Sequence, residues 1–373
     1  MPGTSTVVRR TSALALLAAL TACTGASGID LAESDYEDGA GITATVLPQI
    51  AAPGEDAEKS TDAEYVVDAT IEGADAGQAV ELQVADGDDW SVADSAETDA
   101  DGRVALTVGE AAELRIVSEG DTPVGIHLST DDAPAATFTD EFDKRIKAAW
   151  VTRDQGYVGV RTCSRASDDA VEWVDGVLRL SVIDDPDKGT CRVKRKRYDY
   201  RLNGHIGSGF SFTYGYAAAR INFQELRGQH GSFWLQGFGP KPTGDAKVTG
   251  AEIDVIEYFG DDHPQGGLSS FVYWKPTAKG KTAGGWLPDP EQFGDDWSSK
   301  FHVFSVEWTP KKYVFRIDGQ VTNTITQGVS GRPEFLILSL LSSDYELQHL
   351  DDNDDLPQQM DVDWVKVWAD PPA

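Results

Sequence analysis

The sequence is poor in cysteine, histidine and basic residues. Its 373 residues include three Cys, six His, and 32 Lys and Arg against 62 Asp and Glu, which gives a formal net charge of −30. No CxxC pair or adjacent His supports a metal or catalytic role for a cysteine. A nucleic-acid partner is not expected, because phosphate binding requires a basic face. The acid excess by itself indicates solubility rather than a specific ligand.

Long apolar runs are missing after the first residues, and no helical period of useful length occurs. The alanine-rich stretch YAAARI is short and lies between strand patterns. A chain of this length, 40% hydrophobic, can bury a large core and form two domains.

The N-terminus is typical of an exported protein. Arg9 and Arg10 precede the short apolar stretch TSALALLAALTA, which is too short to span a bilayer. The following LTAC resembles the lipobox of bacterial lipoproteins, which implies a signal peptide over 1–22 and a lipidated Cys23. Cleavage nearby without a lipid is the alternative. Residues 23–40 are small and acidic and predict a tether on the outer face of the cell membrane or in a secreted protein.

Seven short alternating segments occupy residues 41–132, broken by turn residues about every ten positions. This pattern predicts a small β-sandwich and looks like the Ig-like accessory modules of secreted bacterial enzymes. Because Trp90 is its only Trp, a spacer role is favoured over sugar binding.

The stretch DDAPAA ends this region, and 137–373 is again β-rich and dense in aromatics. An all-β domain of that length predicts a large sandwich or jelly roll. It contains the two remaining cysteines, Cys163 and Cys191, which we expect to pair in an oxidising compartment.

The segment TGAEIDVIEYFG places three carboxylates inside an apolar, β-branched run that predicts a strand. Glu252 and Asp254 share a face, because strand side chains alternate. Glu257 is five residues from Glu252, so an ideal strand would place it on the opposite face. A β-bulge between Asp254 and Glu257 adds one residue, and we expect all three acids to line one face.

The same bulge predicts that Ile253 and one of Val255 or Ile256 face the core. A structural role for the acids would need basic partners, and no Lys or Arg occurs between Ala251 and His263. Retaining glycoside hydrolysis requires one ionised carboxylate as nucleophile and one protonated carboxyl as general acid, about 5–5.5 Å apart. The row therefore favours a glycosidase.

The motif E-I-D-V-I-E resembles the bulged signature E-x-D-x-x-E of glycoside hydrolase family 16, the laminarinase-like enzymes, and the resemblance covers most of 137–373. Further segments that resemble the family's strands are FTDEFD (138–143), VDGVLRLSV (174–182), GHIGSGFSFTYGYAAARINF (204–223), GSFWLQG (231–237), FHVFSVEWTPKKYVFRIDG (301–319) and LPQQMDVDWVKVWAD (356–370). The resemblance implies a concanavalin-like jelly roll of two curved antiparallel sheets with the cleft on the concave face.

The resemblance also implies roles for the acids. Glu252 would be the nucleophile, Glu257 the general acid and then the base, and Asp254 would assist. Three positions depart from the family's pattern: Ala218, His230 and Val272. They surround the sugar-binding subsites, so they bear on the substrate more than on the chemistry.

Sugars present apolar CH faces, so we expect aromatic platforms in the cleft. The predicted substrate-binding residues are Trp234, Arg220, Tyr258, Trp274 and Trp286, with Tyr273 and Trp297 as further aromatic candidates. Trp234 has the best match to a family motif, and Trp286 lies in a Gly-rich segment predicted to be a loop that rims the cleft. Core packing is the competing interpretation for each aromatic residue.

The resemblance further implies a structural calcium held by Asp363, Glu141 and the Gly176 carbonyl, since hard oxygen ligands suit that ion. The chemistry itself requires no cofactor. The basic run RVKRKRYDYR (192–201) is interpreted as a strand with a solvated face, and the alternative is a patch for an anionic glycan or phosphate group.

Together these observations predict a monomeric, lipid-anchored, retaining endo-β-glycosidase that acts on a β-1,3-linked glucan. The alternatives are a transglycosylase on the same scaffold and a non-catalytic, lectin-like glycan-binding lipoprotein. A cell-envelope remodelling or adhesion factor, gripping the wall through the N-terminal module, is a further reading. The membrane is expected to be contacted only through the N-terminal lipid.

Overall fold

The computed structural model describes residues 28–370, except 110–111, 121, 147–148, 154, 158, 240–241, 276–281 and 351–354. The predicted signal peptide and the predicted lipidation site at Cys23 lie outside the described residues. None of the helices in the described part has the length and apolarity that a membrane crossing requires.

The described residues of the N-terminal part form seven strands in two antiparallel sheets. The strands are β1 (Ile42–Ala51), β2 (Glu64–Ile71), β3 (Ala79–Asp86), β4 (Asp89–Glu97), β5 (Arg103–Val108), β6 (Glu113–Ser118) and β7 (Val124–Ser129). One sheet has the order β1-β2-β5 and the other β4-β3-β6-β7. Inward-facing residues such as Val67, Leu82 and Ile116 form one core between them. These strands make a small β-sandwich, and its assignment as an Ig-like module stays a prediction.

The described part of the predicted tether, 28–40, contacts this sandwich. The Ile29 N–H donates to the Glu81 carboxylate (2.8 Å), and the Gln83 amide donates to the Ile29 carbonyl (3.0 Å). Further along, Asp38 accepts from the His127 N–H (3.0 Å). This stretch therefore lies against the four-stranded sheet instead of extending freely from it.

The described residues of the C-terminal part form eighteen further strands. They are β8 (Phe138–Asp140), β9 (Trp150–Thr152), β10 (Ser164–Ala166), β11 (Val171–Val174), β12 (Val177–Asp184), β13 (Thr190–Val193), β14 (Lys196–Asp199), β15 (Arg201–Phe212), β16 (Gly215–Asn222), β17 (His230–Gly237), β18 (Glu252–Tyr258), β19 (Leu268–Tyr273), β20 (Thr282–Trp286), β21 (His302–Trp308), β22 (Tyr313–Ile317), β23 (Gln320–Ile325), β24 (Glu334–Leu341) and β25 (Gln358–Ala369).

Helix is scarce in the described residues. One short α-helix, α1, spans Ala246–Thr249, and single 3₁₀ turns cover Glu33–Asp35, Thr130–Asp132, Asp168–Ala170, Pro290–Gln292 and Leu347–His349.

Twelve strands form one nearly closed path in the order β20-β19-β18-β17-β24-β15-β12-β25-β16-β21-β22-β23. The long strand β15 joins two layers: its residues 201–203 pair with β12, and its residues 204–212 pair with β24. The layers enclose one core that contains Phe233, Ile253 and Trp308. The predicted all-β jelly roll is therefore confirmed.

The central strand β24 shows why these residues form a sandwich. Its sequence EFLILSLL is nearly continuously apolar, and every residue is buried between β17 and β15. A strand that is buried on both faces needs apolar side chains on both of them, so the alternation of apolar and polar residues disappears there. Leu336 and Leu338 point into the core, whereas Ile337 and Ser339 belong to the opposite face.

The small sandwich packs on the outer face of the layer that contains β16 and β25. Ile50 and Val66 are buried against Trp364 and Trp368 in a separate apolar cluster. The segment after β1, residues 52–63, runs across this surface, and we name it the docking segment. Lys366, which is buried, donates from Nζ to a carbonyl of the docking segment and to the Gln49 side chain on β1.

The predicted cysteine pair, Cys163 and Cys191, forms a disulfide with a Cα–Cα distance of 5.6 Å. It ties the segment before β10 to the β13–β14 hairpin.

Candidate active site

The three carboxylates all lie on β18, and the strand has the bulge that their spacing requires. The pairing with β19 shifts register between Asp254 and Glu257, and the pairing with β17 shifts opposite the same point. Two residues of β18 therefore oppose one residue of each neighbour, and Glu257 returns to the face of Glu252.

The prediction for the buried side of the strand was partly wrong. Val255 and Ile256 are both buried in the core together with Ile253, although only one of the pair was expected there. The two residues at a bulge can project to the same side, so both side chains pack inward while the acids face outward.

The acids open into a cavity of about 290 Å³, which we name the carboxylate cavity. Its lining residues are Val160, Arg161, His230, Ser232, Trp234, Glu252, Asp254, Glu257, Tyr273, Ser339, Leu341 and Tyr345. They come from β17, β18, β19, β24 and the segments that follow β9 and β24. The strands β17, β18, β19 and β24 belong to one layer of the sandwich. The cavity lies on the face of that layer that points away from the core.

Glu252 lies in a polar environment with a cation nearby. The Gln236 amide donates to its carboxylate (3.1 Å), and Arg153 in turn donates to the Gln236 carbonyl oxygen (3.0 Å). Burial lowers the pKa of Arg153, and the charge of Glu252 opposes that shift, so the two groups interact electrostatically. A nearby guanidinium favours the ionised form of a carboxyl, which suits Glu252 to a nucleophilic role.

Asp254 and Glu257 are held toward their protonated forms. Burial raises the pKa of Asp254 well above its usual value, and the charges of Glu257 and Glu252 add to the increase. Burial also raises the pKa of Glu257, with a further increase from Glu252. Different surroundings can give neighbouring carboxyls different pKa values, so that one is ionised while another is protonated. Acid catalysis needs this division.

His230 is the functional residue that the sequence analysis noted only as a departure from the family pattern. Its Nδ1 lies 2.8 Å from Glu346, its Nε2 lies 3.9 Å from Glu257, and its ring stacks on Phe259. Burial lowers the pKa of His230, but Glu346 and Glu257 oppose this, and the net result is a raised pKa. A cationic His230 lowers the pKa of Glu257 and thus moderates it.

Replacing His230 with Gln should therefore move the alkaline limb of the kcat/KM profile upward by roughly 0.5–1 pH unit. A general acid must be protonated, so kcat/KM falls as pH rises through the pKa of Glu257. Removing the imidazolium raises that pKa, and the fall occurs at higher pH. The measurement is kcat/KM against pH on a soluble β-glucan.

The matched control for this prediction is His263→Gln. His263 stacks on Trp286 and also contacts Phe259, but it does not line the carboxylate cavity. The variant His263→Gln should leave the alkaline limb of the kcat/KM profile unchanged. An unchanged or downward-shifted limb in His230→Gln would show that His230 does not act on Glu257.

Aromatic residues line the carboxylate cavity as expected for a glycan cleft. Trp234 is partly exposed there, donates from its indole to Ser339 (3.1 Å), and carries Arg153 over its ring at 5.1 Å. Tyr273 lies directly opposite Glu252 across the β18–β19 pair and also lines the cavity. Both present ring surface beside the carboxylates, which is the contact that sugar CH groups use.

Trp286 lies on the same face, one step further out. It ends β20, so the prediction that it belongs to a loop was wrong. Ser269 is the cross-strand neighbour of both Glu257 and Trp286, and directly opposite residues share a face. Trp286 therefore remains a candidate for binding sugar beyond the carboxylate cavity.

Besides Trp286, three predicted substrate residues do not reach the carboxylate cavity. Tyr258 and Trp274 are both buried in the core, each next in sequence to a residue that lines the cavity. Trp297, named as a further aromatic candidate, is also a core residue. On β18, alternation points Tyr258 away from the acids, whereas Trp274 lies just beyond the end of β19, so neither reaches the acids as predicted.

Arg220 is the third misplaced residue, and it lies on the opposite layer. Its side chain is fully buried, with Nη1 2.7 Å from the Asp363 carboxylate and Nε donating to the Ala52 carbonyl (2.8 Å). It thus binds the docking segment rather than a substrate.

The predicted calcium ligands are engaged by protein groups. Asp363 accepts from Arg220 and from the Glu58 N–H, and Glu141 accepts from the Ser60 N–H and hydroxyl. In the described part of the chain, no group of three or more His, Cys, Asp or Glu side chains is arranged to hold a metal. Gly176 occupies the β11–β12 turn with φ 82°. The calcium ion stays a prediction.

Comparison with known proteins agrees with this geometry. The family described as "Glycosyl hydrolases family 16" matches residues 168–366, which is more than half of the chain. No curated protein matches the sequence.

Solved structures resemble the chain in fold. An endo-β-1,3-glucanase from Pyrococcus furiosus is 21% identical, with a TM-score of 0.50, over 64% of this chain and 96% of its own. The catalytic domain of an endo-1,3-β-glucanase (laminarinase) from Thermotoga petrophila RKU-1 is 19% identical, with a TM-score of 0.50, over 64% and 99%. At these identities the likeness shows the shared fold.

Proposed function

Because the chain belongs to glycosyl hydrolases family 16 and is a glycoside hydrolase, we propose that it is a retaining endo-β-glycosidase whose substrate is a β-1,3-linked glucan. The observation that carries the proposal is the bulge in β18, which places Glu252, Asp254 and Glu257 in one cavity. The substrate class is supported by the glucanases that share the fold. Two carboxyl groups supply the chemistry, so no cofactor is required.

In the first step, protonated Glu257 donates its proton to the glycosidic oxygen as the bond to the anomeric carbon breaks. Glu252 attacks that carbon and forms a covalent glycosyl ester. Gln236 donates to Glu252 and is itself held by Arg153, and these contacts orient the Glu252 carboxylate before the attack. The leaving sugar departs with the proton that Glu257 gave up.

In the second step, Glu257 is a carboxylate and accepts a proton from water. The resulting hydroxide equivalent attacks the anomeric carbon, the ester breaks, and Glu252 leaves as a carboxylate. His230 lies 3.9 Å from Glu257 and stabilises the charge that Glu257 carries between the two steps. Two inversions give net retention at the anomeric carbon.

The proposal is tested by digesting laminarin, mixed-linkage β-glucan, xylan and agarose with the wild-type protein, and following the products by proton NMR. We expect laminarin to be cut internally, with a rapid fall in viscosity, and the β-anomer of the product to form first. Initial α-anomer would contradict the retaining mechanism. No cleavage of any β-glycan, with retained binding, would instead favour the lectin-like alternative.

A transglycosylase shares the same covalent intermediate and differs only in the acceptor. Adding short β-1,3-gluco-oligosaccharides to the laminarin digestion separates the two activities. If products longer than the donor appear, the proposed activity changes from hydrolysis to transglycosylation.

We also propose that the N-terminal sandwich is a spacer between the anchor and the catalytic domain. The lipid at Cys23 and the location on the outer membrane face rest on the sequence alone. Labelling with a radioactive fatty acid in cells, compared with Cys23→Ser, tests the anchor.

A further inference from the structure

The β13–β14 hairpin, Thr190–Asp199, carries five basic side chains in an otherwise acidic chain, and we name it the basic hairpin. The five are Arg192, Lys194, Arg195, Lys196 and Arg197, and all are exposed. The basic hairpin contains one acid, Asp199, whereas the whole chain has a net charge of −30. The Debye length is about 8 Å at physiological salt, so distant acids do not cancel this local charge.

The five cations have no acidic partners among the described residues. The ion pairs of the described chain involve other basic groups, and Arg197 donates only to the Thr190 hydroxyl (3.2 Å). A solvated basic face commonly carries compensating acids at neighbouring positions. These charges are therefore available to an external anion.

The strand register places two of the cations against each other. Arg192 and Arg197 are directly opposite across the hairpin, where Cβ atoms are about 5 Å apart and like charges destabilise the pair. The turn holds Lys194 at φ 52°, a left-handed conformation that strains a lysine. The repulsion between the arginines and the strain at Lys194 both oppose folding. An anion held between the two guanidinium groups would offset the repulsion.

The basic hairpin is fixed to a wall of the carboxylate cavity. Its inner face packs Cys191 and Val193 against Cys163 and Leu347, and the disulfide joins the two cysteines. Cys163 lies two residues after Arg161, and Leu347 two residues after Tyr345, and both of these line the cavity. A polymer that leaves the cavity past that wall would meet the basic hairpin.

We propose that the basic hairpin extends the active site as a binding surface for the anionic groups of an acidic polysaccharide, with Arg192 and Arg197 as its centre. The forked guanidinium matches carboxylate or sulfate oxygens in pairs, which a lysine cannot do. The proposal rests on the proposed function, because an endo-acting enzyme binds a polymer longer than its cavity. It makes charged substituents on the glucan a determinant of substrate choice.

The test compares laminarin with carboxymethylated laminarin, which has the same backbone with added carboxylates. The variant Arg192→Gln/Arg197→Gln should raise KM for the carboxymethylated polymer roughly fivefold at low salt, with unchanged kcat and unchanged KM for laminarin. Added salt should remove the difference. The matched control is Lys311→Gln/Lys312→Gln, which removes two exposed positive charges at the β21–β22 turn and should change neither substrate.

The same variant should be as stable as the wild type or slightly more stable, because it relieves the repulsion between the two arginines. A lower melting temperature, together with an equal loss of activity on both polymers, would show that the two arginines have a structural role. That result would overturn the proposal. Equal KM values for the carboxymethylated polymer in variant and wild type would also overturn it.

Binding is measured separately from turnover in the Glu252→Gln background, by retardation in gels that contain each polymer. If laminarin is not cleaved but the basic hairpin still controls retention on the anionic gel, the proposed function fails while this inference holds. Sedimentation with phosphatidylglycerol vesicles, using the full chain with Cys23→Ser, examines a membrane partner. Vesicle binding lost in the arginine variant, without any change in polymer binding, would overturn the glycan assignment.

Discussion

Replacing Glu252 or Glu257 with Ala should reduce kcat on β-glucan by roughly 10⁴-fold or more for Glu252 and somewhat less for Glu257. The two losses differ in kind. Without Glu252 no covalent intermediate can form, whatever the substrate. Without Glu257 an activated aryl glycoside can still form the intermediate, because its leaving group needs no proton. The measurement is kcat on polymer and on a dinitrophenyl β-glycoside.

Azide distinguishes the two roles by stereochemistry. In Glu257→Ala, azide attacks the covalent intermediate and should give a β-glycosyl azide. In Glu252→Ala, azide fills the space of the nucleophile and should give an α-glycosyl azide in a single displacement. The opposite products would exchange the assignments. Glu172→Ala, an exposed change on β11, should retain full activity.

The alternation of β18 made the carboxylate row predictable. Asp254 is two residues from Glu252 and Glu257 is five, so only an added residue reconciles their parity, and the register shift shows that residue. The same rule places Tyr258, next to Glu257, on the core face. The sequence thus contains the information that excludes Tyr258 from the cavity.

The residues that contact the cavity lining from behind could not be predicted from local pattern. Glu346 reaches His230 from a position 116 residues away, and Arg153 reaches Gln236 across 83 residues. Each lies in an irregular segment beside a strand, where no periodicity fixes its direction. Only the pairing of β9 with β15 and of β24 with β17 brings them to the acids.

Arg220 shows the same limit for the opposite layer. Its parity on β16 predicts that it faces away from the core, but not what covers that face. The docking segment, more than 150 residues earlier, supplies the cover and accepts hydrogen bonds from the guanidinium. A motif match therefore suggested a substrate contact where the fold provides a structural one.

Replacing Arg220 with Met should lower the free energy of unfolding by about 3–5 kcal/mol, because it leaves Asp363 buried without its cation. It also removes the donors to the carbonyls of Ala52 and Asp56 in the docking segment. Urea denaturation at neutral pH measures the loss, and KM on laminarin at low temperature should stay unchanged. Arg179→Met, which breaks a partly exposed ion pair with Asp361, should lower the free energy of unfolding by less than about 1 kcal/mol. A stable Arg220→Met protein with raised KM would return Arg220 to the substrate site and contradict its structural role.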